Sequence, residues 1–245
     1  MSGFSTIIYE KIDGIAYVTL NRLEVLNAYN IQMRDDLYEV LNAIRYDSEV
    51  RVAVFKGAGE KAFCAGADLT EFLTAPSPVQ ARQVRWERDI WGLFLDVPQP
   101  LIVALHGYVL GSGMEIALFC DIRIASDDAR FGLPEVGLGI IPAAGGTQTL
   151  PRLVGHGKAL EMLLTNPWVS SGEAYSVGLV NKVVPRDKLL QTAEEMAKQI
   201  ASYNPNAVRA AKQAVLRGLN LTLAEGLDLE KRLVSQVELN VDKLS

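Results

Sequence analysis

Three glycine-rich turns hold the residues best suited to chemistry. They are Ala65-Gly66-Ala67-Asp68-Leu69, Gly111-Ser112-Gly113-Met114-Glu115 and Leu133-Pro134-Glu135-Val136-Gly137, the last followed by Ile141-Pro142-Ala143-Ala144-Gly145-Gly146-Thr147-Gln148. Each sets small residues beside an acid, and the first two stand between a strand pattern and a helix pattern. Backbone N–H groups at helix starts are free donors that attract developing negative charge. Two such turns brought together would form an oxyanion hole from main chain alone. The acids Glu115 and Glu135 would supply proton transfer.

Each of these residues also has a plainer reading. Ser112-x-x-Glu115 is a capping box by pattern, with Glu115 folding back onto the Ser112 N–H. The pattern alone favours that reading, and it competes with substrate for the same donor. Asp68-x-x-Glu71 has the same form and reads as a cap. Glu135 could be a surface-loop carboxylate. His106, at the end of an apolar strand, reads as a satisfied core histidine, Cys64 and Cys120 as small buried hydrophobes, and Trp86 and Trp91 as core. Other catalytic motifs fail by residue. Gly157-Lys158 has Arg152 where a phosphate-binding loop needs glycine. Ile116 and Pro142 break the two candidate dinucleotide fingerprints, and Leu110 breaks a nucleophile elbow around Ser112.

The elements that must position these turns follow from periodicity. Alternation over 7–12 and 15–20, joined by Asp13-Gly14, predicts a β-hairpin. Met33, Leu37, Val40, Leu41 and Ile44 predict a helix; 50–56, 101–105 and 122–125 predict strands, with a helix starting near Met114. Pro76-Ser77-Pro78 reads as a loop. Repeated strand-then-helix order argues for an α/β fold with largely parallel pairing. Beyond Pro185 three helical stripes follow without a strand signal, through Leu189–Ile200, then Val208, Ala211 and Val215, then Leu223, Leu227 and Val234. The organisation expected is an α/β core over 1–185 and a helical appendage over 186–245, which covers its own core or mediates self-association.

Composition bounds the function classes. The chain has 245 residues, 49% hydrophobic and 22% charged, with a net charge of -5. That suits a globular protein and argues against a nucleic-acid partner. Two cysteines and two histidines without ligand spacing exclude a disulfide framework and predict no metal site. Segment 100–120 is apolar, but its Glu115, His106 and glycines suit strand, turn and buried helix rather than a membrane span. The start carries no secretory or transit pattern, so a cytoplasmic location is expected.

The segments FCAGADL, HGYVLGSGMEIALFCDIRIAS and ARFGLPEVGLGIIPAAGGTQTLPRLVG, in this order, resemble the crotonase (enoyl-CoA hydratase/isomerase) family. The resemblance implies a crotonase-like spiral of ββα units with a C-terminal helical trimerisation region, assembled as a trimer or dimer of trimers. It implies an acyl-CoA substrate and no cofactor. By motif position it puts the oxyanion N–H groups on Ala67 and Ser112, substrate contacts on Ala65, Gly66, Asp68 and Leu69, and the two hydratase carboxylates on Glu115 and Glu135. Keeping both acids points to reversible hydration of a 2-enoyl-CoA. The alternatives are an enoyl-CoA isomerase, a hydratase for branched or cyclic acyl-CoA, or a non-catalytic interaction or RNA-binding protein on the same scaffold. The chain departs from the family pattern at Ser112 and Ala143, both common glycine positions, and at Leu23, a frequent proline. It also ends soon after Val237, where relatives continue with a short helix over CoA. Arg22, Lys56 and Lys61 are candidates for the CoA phosphates. Acyl specificity is expected from 69–95, with Phe72, Trp86 and Trp91.

Overall fold

The Asp13-Gly14 turn joins β1 (Ile7–Ile12) to β2 (Ile15–Leu20) as an antiparallel hairpin with Ile12 opposite Ile15. Both turn residues have positive φ, as the tightest hairpin turns require. The computed structural model describes residues 3–71, 87–235 and 237. Phe72, Trp86 and Pro76-Ser77-Pro78 lie outside the described residues.

After the hairpin come α1 (Ile31–Tyr46), β3 (Val52–Gly57) and β4 (Ala62–Cys64), then α2 (Ile90–Asp96). Next are β5 (Leu101–Leu105), β6 (Tyr108–Leu110), α3 (Ser112–Phe119), β7 (Ile122–Ser126) and β8 (Arg130–Gly132). A 3-10 turn over Pro134–Leu138 leads to α4 (Gly146–Val154), α5 (His156–Thr165), β9 (Val169–Ser170) and α6 (Ser171–Ser176). Then follow β10 (Lys182–Val184), α7 (Leu189–Ala201), α8 (Pro205–Gly218) and α9 (Leu223–Val234).

The strands form two sheets, one ordered β1-β2-β3-β5-β7-β10 and the other β4-β6-β8-β9. The chain alternates between them: β3 then β4, β5 then β6, β7 then β8. The alternation is the expected spiral of ββα units. Pairing is parallel throughout except for β1 with β2 and β8 with β9. The apolar stretch 100–120 resolves into β5, β6 and α3. No described helix is long and apolar enough to cross a membrane.

Both faces of the large sheet are apolar, as buried parallel strands require. Ala53, Phe55, Val103 and Leu105 face one core with α1, α2 and α3; Val52, Val54, Ile102 and Ala104 face a second. An aromatic cluster fills the first, with ring centroids of Phe55–Phe94 at 5.5 Å, Trp91–Phe119 at 5.6 Å and Tyr29–Trp91 at 5.9 Å. Trp91 is therefore core, as its spacing suggests. Cys64 and Cys120 are buried and free, and burial pushes the Cys64 thiol up to about 11. His106 is buried, but it is not satisfied: its Nε2 has no partner among the described residues.

Of the two roles open to the helices after residue 185, α7 takes the first, covering the chain's own core: it buries Leu189, Ala193 and Ala197 against Val52, Val54, Ile102 and Ala104. Periodicity shows an apolar stripe but not what it covers. The appendage begins with α8, which buries none of its residues. Polar tethers hold it instead. Lys212 Nζ meets Asp121 Oδ2 at 2.7 Å and donates to the Gln99 carbonyl at 2.9 Å, and Arg209 donates to the Val50 carbonyl at 3.2 Å.

The Lys212–Asp121 pair is mostly buried, so removing one partner leaves the other charge desolvated. Lys212→Ala is expected to cost about 3 kcal/mol in urea unfolding, with early proteolysis of the α8–α9 segment. Unchanged unfolding would show that the tether contributes nothing.

Candidate active site

Strands β4, β6 and β8 are neighbours and parallel, with Ala62 opposite Tyr108 and Leu110 opposite Gly132. Parallel strands end on the same edge of a sheet. The segments after them, 65–69, 111–115 and 133–137, are thereby delivered side by side. Gly111 has φ +50°, and a Cβ on it would lie 3.3 Å from Gly66 Cα and 2.9 Å from Glu135 Oε1. Glycine is required there by both backbone angle and space.

Tyr29 fixes the first turn. Its N–H donates to the Gly66 carbonyl and its carbonyl accepts from the Asp68 N–H, both at 2.8 Å. This parallel bridge uses the groups on either side of Ala67, so the Ala67 N–H is directed away from it. Ser112 is the first residue of α3, whose backbone bonding begins with the Glu115 N–H donating to the Gly111 carbonyl at 2.9 Å. A first-turn N–H such as that of Ser112 has no acceptor within its own helix. Gly113 lets α3 press onto β4, since a Cβ there would stand 2.5 Å from the Cys64 carbonyl.

Glu115 lies one turn into α3 and is 2% exposed. Its Oε1 accepts from the N–H groups of Ala144 and Gly146, each at 2.9 Å. The capping-box reading of Glu115 is thus overturned: Gly111 stands at the cap position, and the carboxylate reaches the start of α4 rather than Ser112. No competition for the Ser112 N–H remains. Burial pushes the Glu115 carboxyl up to about 7; the Glu135 charge adds to the rise and the two N–H donors oppose it.

Glu135 sits in the 3-10 turn after β8. It is no simple surface carboxylate, since burial raises its pKa and its buried Oε2 has no partner among the described residues. Two acids are therefore brought together beside two main-chain turns. The arrangement can hold an oxyanion and move protons close by.

The other expected residues fall as follows. Asp68 behaves as a cap, its Oδ1 accepting from the Thr70 N–H at 3.1 Å and from the Thr70 hydroxyl at 2.6 Å. Those bonds, with Arg22 Nη2 at 3.0 Å from Oδ2, hold its carboxyl below its ordinary value. Glu71 accepts from the Ile31 N–H at 3.1 Å, at the start of α1. Ala65 is tied by its N–H to the Leu26 carbonyl at 3.1 Å, and Leu69 is exposed. Of the candidate cations, Arg22 is engaged by Asp68 and by the Ala28 carbonyl at 2.6 Å, Lys56 stands 5.8 Å from the Tyr17 ring centroid, and Lys61 is exposed. Among the described residues, no group of three or more His, Cys, Asp or Glu side chains could hold a metal ion. The parts missed from sequence are Tyr29 and the donors Ala144 and Gly146. The small-residue run opening α4 is the signal that could have found the latter two.

Known proteins resemble this chain along most of its length. The enoyl-CoA hydratase/isomerase family model matches residues 10–243. A short-chain-enoyl-CoA hydratase of Clostridium acetobutylicum is 43% identical over 92% of this chain and 87% of that protein. A crotonyl-CoA hydratase of Syntrophomonas wolfei is 38% identical over 93% of this chain and 87% of that protein. The crystal structure of an enoyl-CoA hydratase from Bacillus anthracis superposes with a TM-score of 0.92 at 40% identity, covering 95% of this chain and 91% of that one.

The raised Glu115 value has a stability consequence. Between its ordinary 4.5 and about 7 the folded chain binds more protons than the unfolded chain. This carboxyl therefore lowers stability progressively as pH rises through that window. Glu115→Gln keeps an acceptor for both N–H groups but cannot ionise. Relative to wild type, the variant is expected to gain about 3 kcal/mol on going from about pH 4 to about pH 8. Unfolding curves at both pH values measure this, and a constant difference would show that Glu115 is not desolvated.

Proposed function

The chain belongs to the enoyl-CoA hydratase/isomerase family, and we propose on that premise that it adds water reversibly across the α,β double bond of a 2-enoyl-CoA, giving a 3-hydroxyacyl-CoA. The observation that carries this reading is the pairing of Glu115 and Glu135, both raised by burial, beside the turns bearing the Ala67 and Ser112 N–H groups. A single-acid site would suit double-bond isomerisation; two acids suit the addition of water.

In the proposed mechanism the thioester carbonyl accepts from the Ala67 and Ser112 N–H groups. That polarises the conjugated alkene and stabilises enolate-like charge. The reacting water lies between the two carboxyl groups. Glu115 takes a proton from it as the oxygen attacks the β carbon, and Glu135 delivers a proton to the α carbon. The pair resets by returning one proton. The base role goes to Glu115, whose Oε1 carries two N–H donors that favour its carboxylate form against the burial that raises it. The acid role goes to Glu135, raised by burial, with its own backbone N–H opposing the rise and its buried Oε2 left without a donor among the described residues. The two titrate as a unit. CoA enters as part of the substrate, and the proposed chemistry draws on no separate cofactor. The turn 65–69 supplies the wall next to the thioester.

Replacing either acid by its amide tests this reading. Glu115→Gln and Glu135→Gln are each expected to lower the crotonyl-CoA hydration rate by on the order of 10²–10⁴. The double variant should fall well short of the product of the two losses, since both act on one water. A near wild-type rate for folded Glu115→Gln would sink the two-acid mechanism. A severe loss there with a neutral Glu135→Gln would point to isomerase chemistry.

We also propose self-association as a trimer or dimer of trimers through the C-terminal helices. In support, no residue of α8 is fully buried, and Leu219, Leu223 and Val234 are 73%, 81% and 66% exposed. Solvent is a poor neighbour for so many aliphatic side chains on one hairpin. Sedimentation at micromolar concentration should give trimer or hexamer; monomer alone would refute it.

A further inference from the structure

We propose that Asn166 is a positioning residue for Glu135, an inference that rests on the two-acid hydration reading. Asn166 ends α5 in the left-handed conformation, with φ 51° and ψ 43°. With its amide turned so that donors meet acceptors, Nδ2 donates to the carbonyls of Leu133 and Leu163, each at 3.1 Å, and Oδ1 accepts from the Gly137 N–H at 2.9 Å. Leu133 and Gly137 bracket Glu135, two residues before it and two after. Leu163 supplies one of the last-turn carbonyls of α5, which have no partner within the helix. One amide thus ties the end of α5 to both ends of the turn that carries the acid.

The neighbouring residues fit that role. A Cβ on Gly137 would stand 2.8 Å from the Asn166 side-chain amide atom that faces it, the oxygen once the amide is turned, so glycine at 137 makes room for the clamp. The anchor is firm, since Ala159, Met162 and Leu163 of α5 are buried. The buried Oε2 of Glu135 has no partner among the described residues, so the backbone of its turn is what aims it. Only an amide can donate to two carbonyls and accept from an N–H at one place. Asparagine and glycine are also the residues that tolerate the left-handed backbone.

The experiment compares crotonyl-CoA hydration and melting temperature for Asn166→Gly, Glu135→Gln, their double variant and Val52→Ala. Asn166→Gly keeps the backbone conformation and removes the clamp. Its kcat should fall about tenfold or more, as expected when a reacting group is misplaced by about 1 Å. Its KM should stay within about twofold, since ground-state binding is untouched. Added to Glu135→Gln, it should cost nothing further in kcat. Val52→Ala, in the second core, should lower the melting temperature and leave kcat unchanged. If Asn166→Gly does not fold, Asn166→Asp serves in its place, because it keeps an acceptor for Gly137 but cannot donate to Leu133. An unchanged kcat in Asn166→Gly beside a severe Glu135→Gln would overturn the proposal while leaving the hydration reading intact. So would a fully multiplicative double variant, or a kcat loss in Val52→Ala matching its loss of stability. A neutral Glu135→Gln would remove the hydration reading and the proposal together.

Discussion

The site depends on the parallel pairing of three very short strands. β4, β6 and β8 have three residues each, and the segments that follow them carry the two proposed main-chain donors and both acids. Strands of that length do not hold a register alone, and a slip of one residue would turn every side chain to the opposite face. Their register is set from outside. Each is reached from a strand of the large sheet, whose apolar faces are packed on both sides. Buried Asn27 adds a local lock, donating to the carbonyls of Ala58 at 2.9 Å and Ala62 at 3.0 Å while accepting from the Arg22 N–H at 3.0 Å. Hydrophobic burial in the large sheet thus becomes positional accuracy in the small one.

Two opposing effects then meet on the acids. Burial disfavours carboxylates, while backbone N–H groups at the start of α4 favour one of them. For Glu115 burial wins, leaving it poised near neutrality instead of fully ionised. No cation is needed to set that balance. In a chain with an excess of acidic residues, the local environment of main-chain dipoles and apolar walls decides protonation. The nearby Arg22 is engaged elsewhere, in holding the loop of Asp68.

Much of the scaffold was legible from residues alone. Asp13-Gly14 announced the hairpin, and the β-branched runs announced β3, β5 and β7, because these signals are local. Glu115 shows where such reading stops. Its spacing from Ser112 is that of a capping box, yet its partners lie 29 and 31 residues further along the chain. No short-range pattern encodes them. The same limit hid Asn166, whose amide reaches the turn around Glu135. It also hid the burial of α7, whose stripe is plain but whose covered surface comes from four different strands.

The use of main chain as donor has a consequence for heritable variation. On the proposed reading, the groups that stabilise charge at Ala67 and Ser112 belong to the backbone, so almost any codon change there preserves the donor and alters only the wall beside the substrate. Proline alone removes it. The genetically vulnerable positions are instead the glycines beside them, Gly111 with its positive φ and Gly113 pressed onto Cys64, where any side chain collides. On that reading, a lineage carrying this fold can remodel acyl selectivity through drift at the donor residues themselves while its chemistry stays guarded by the glycines beside them.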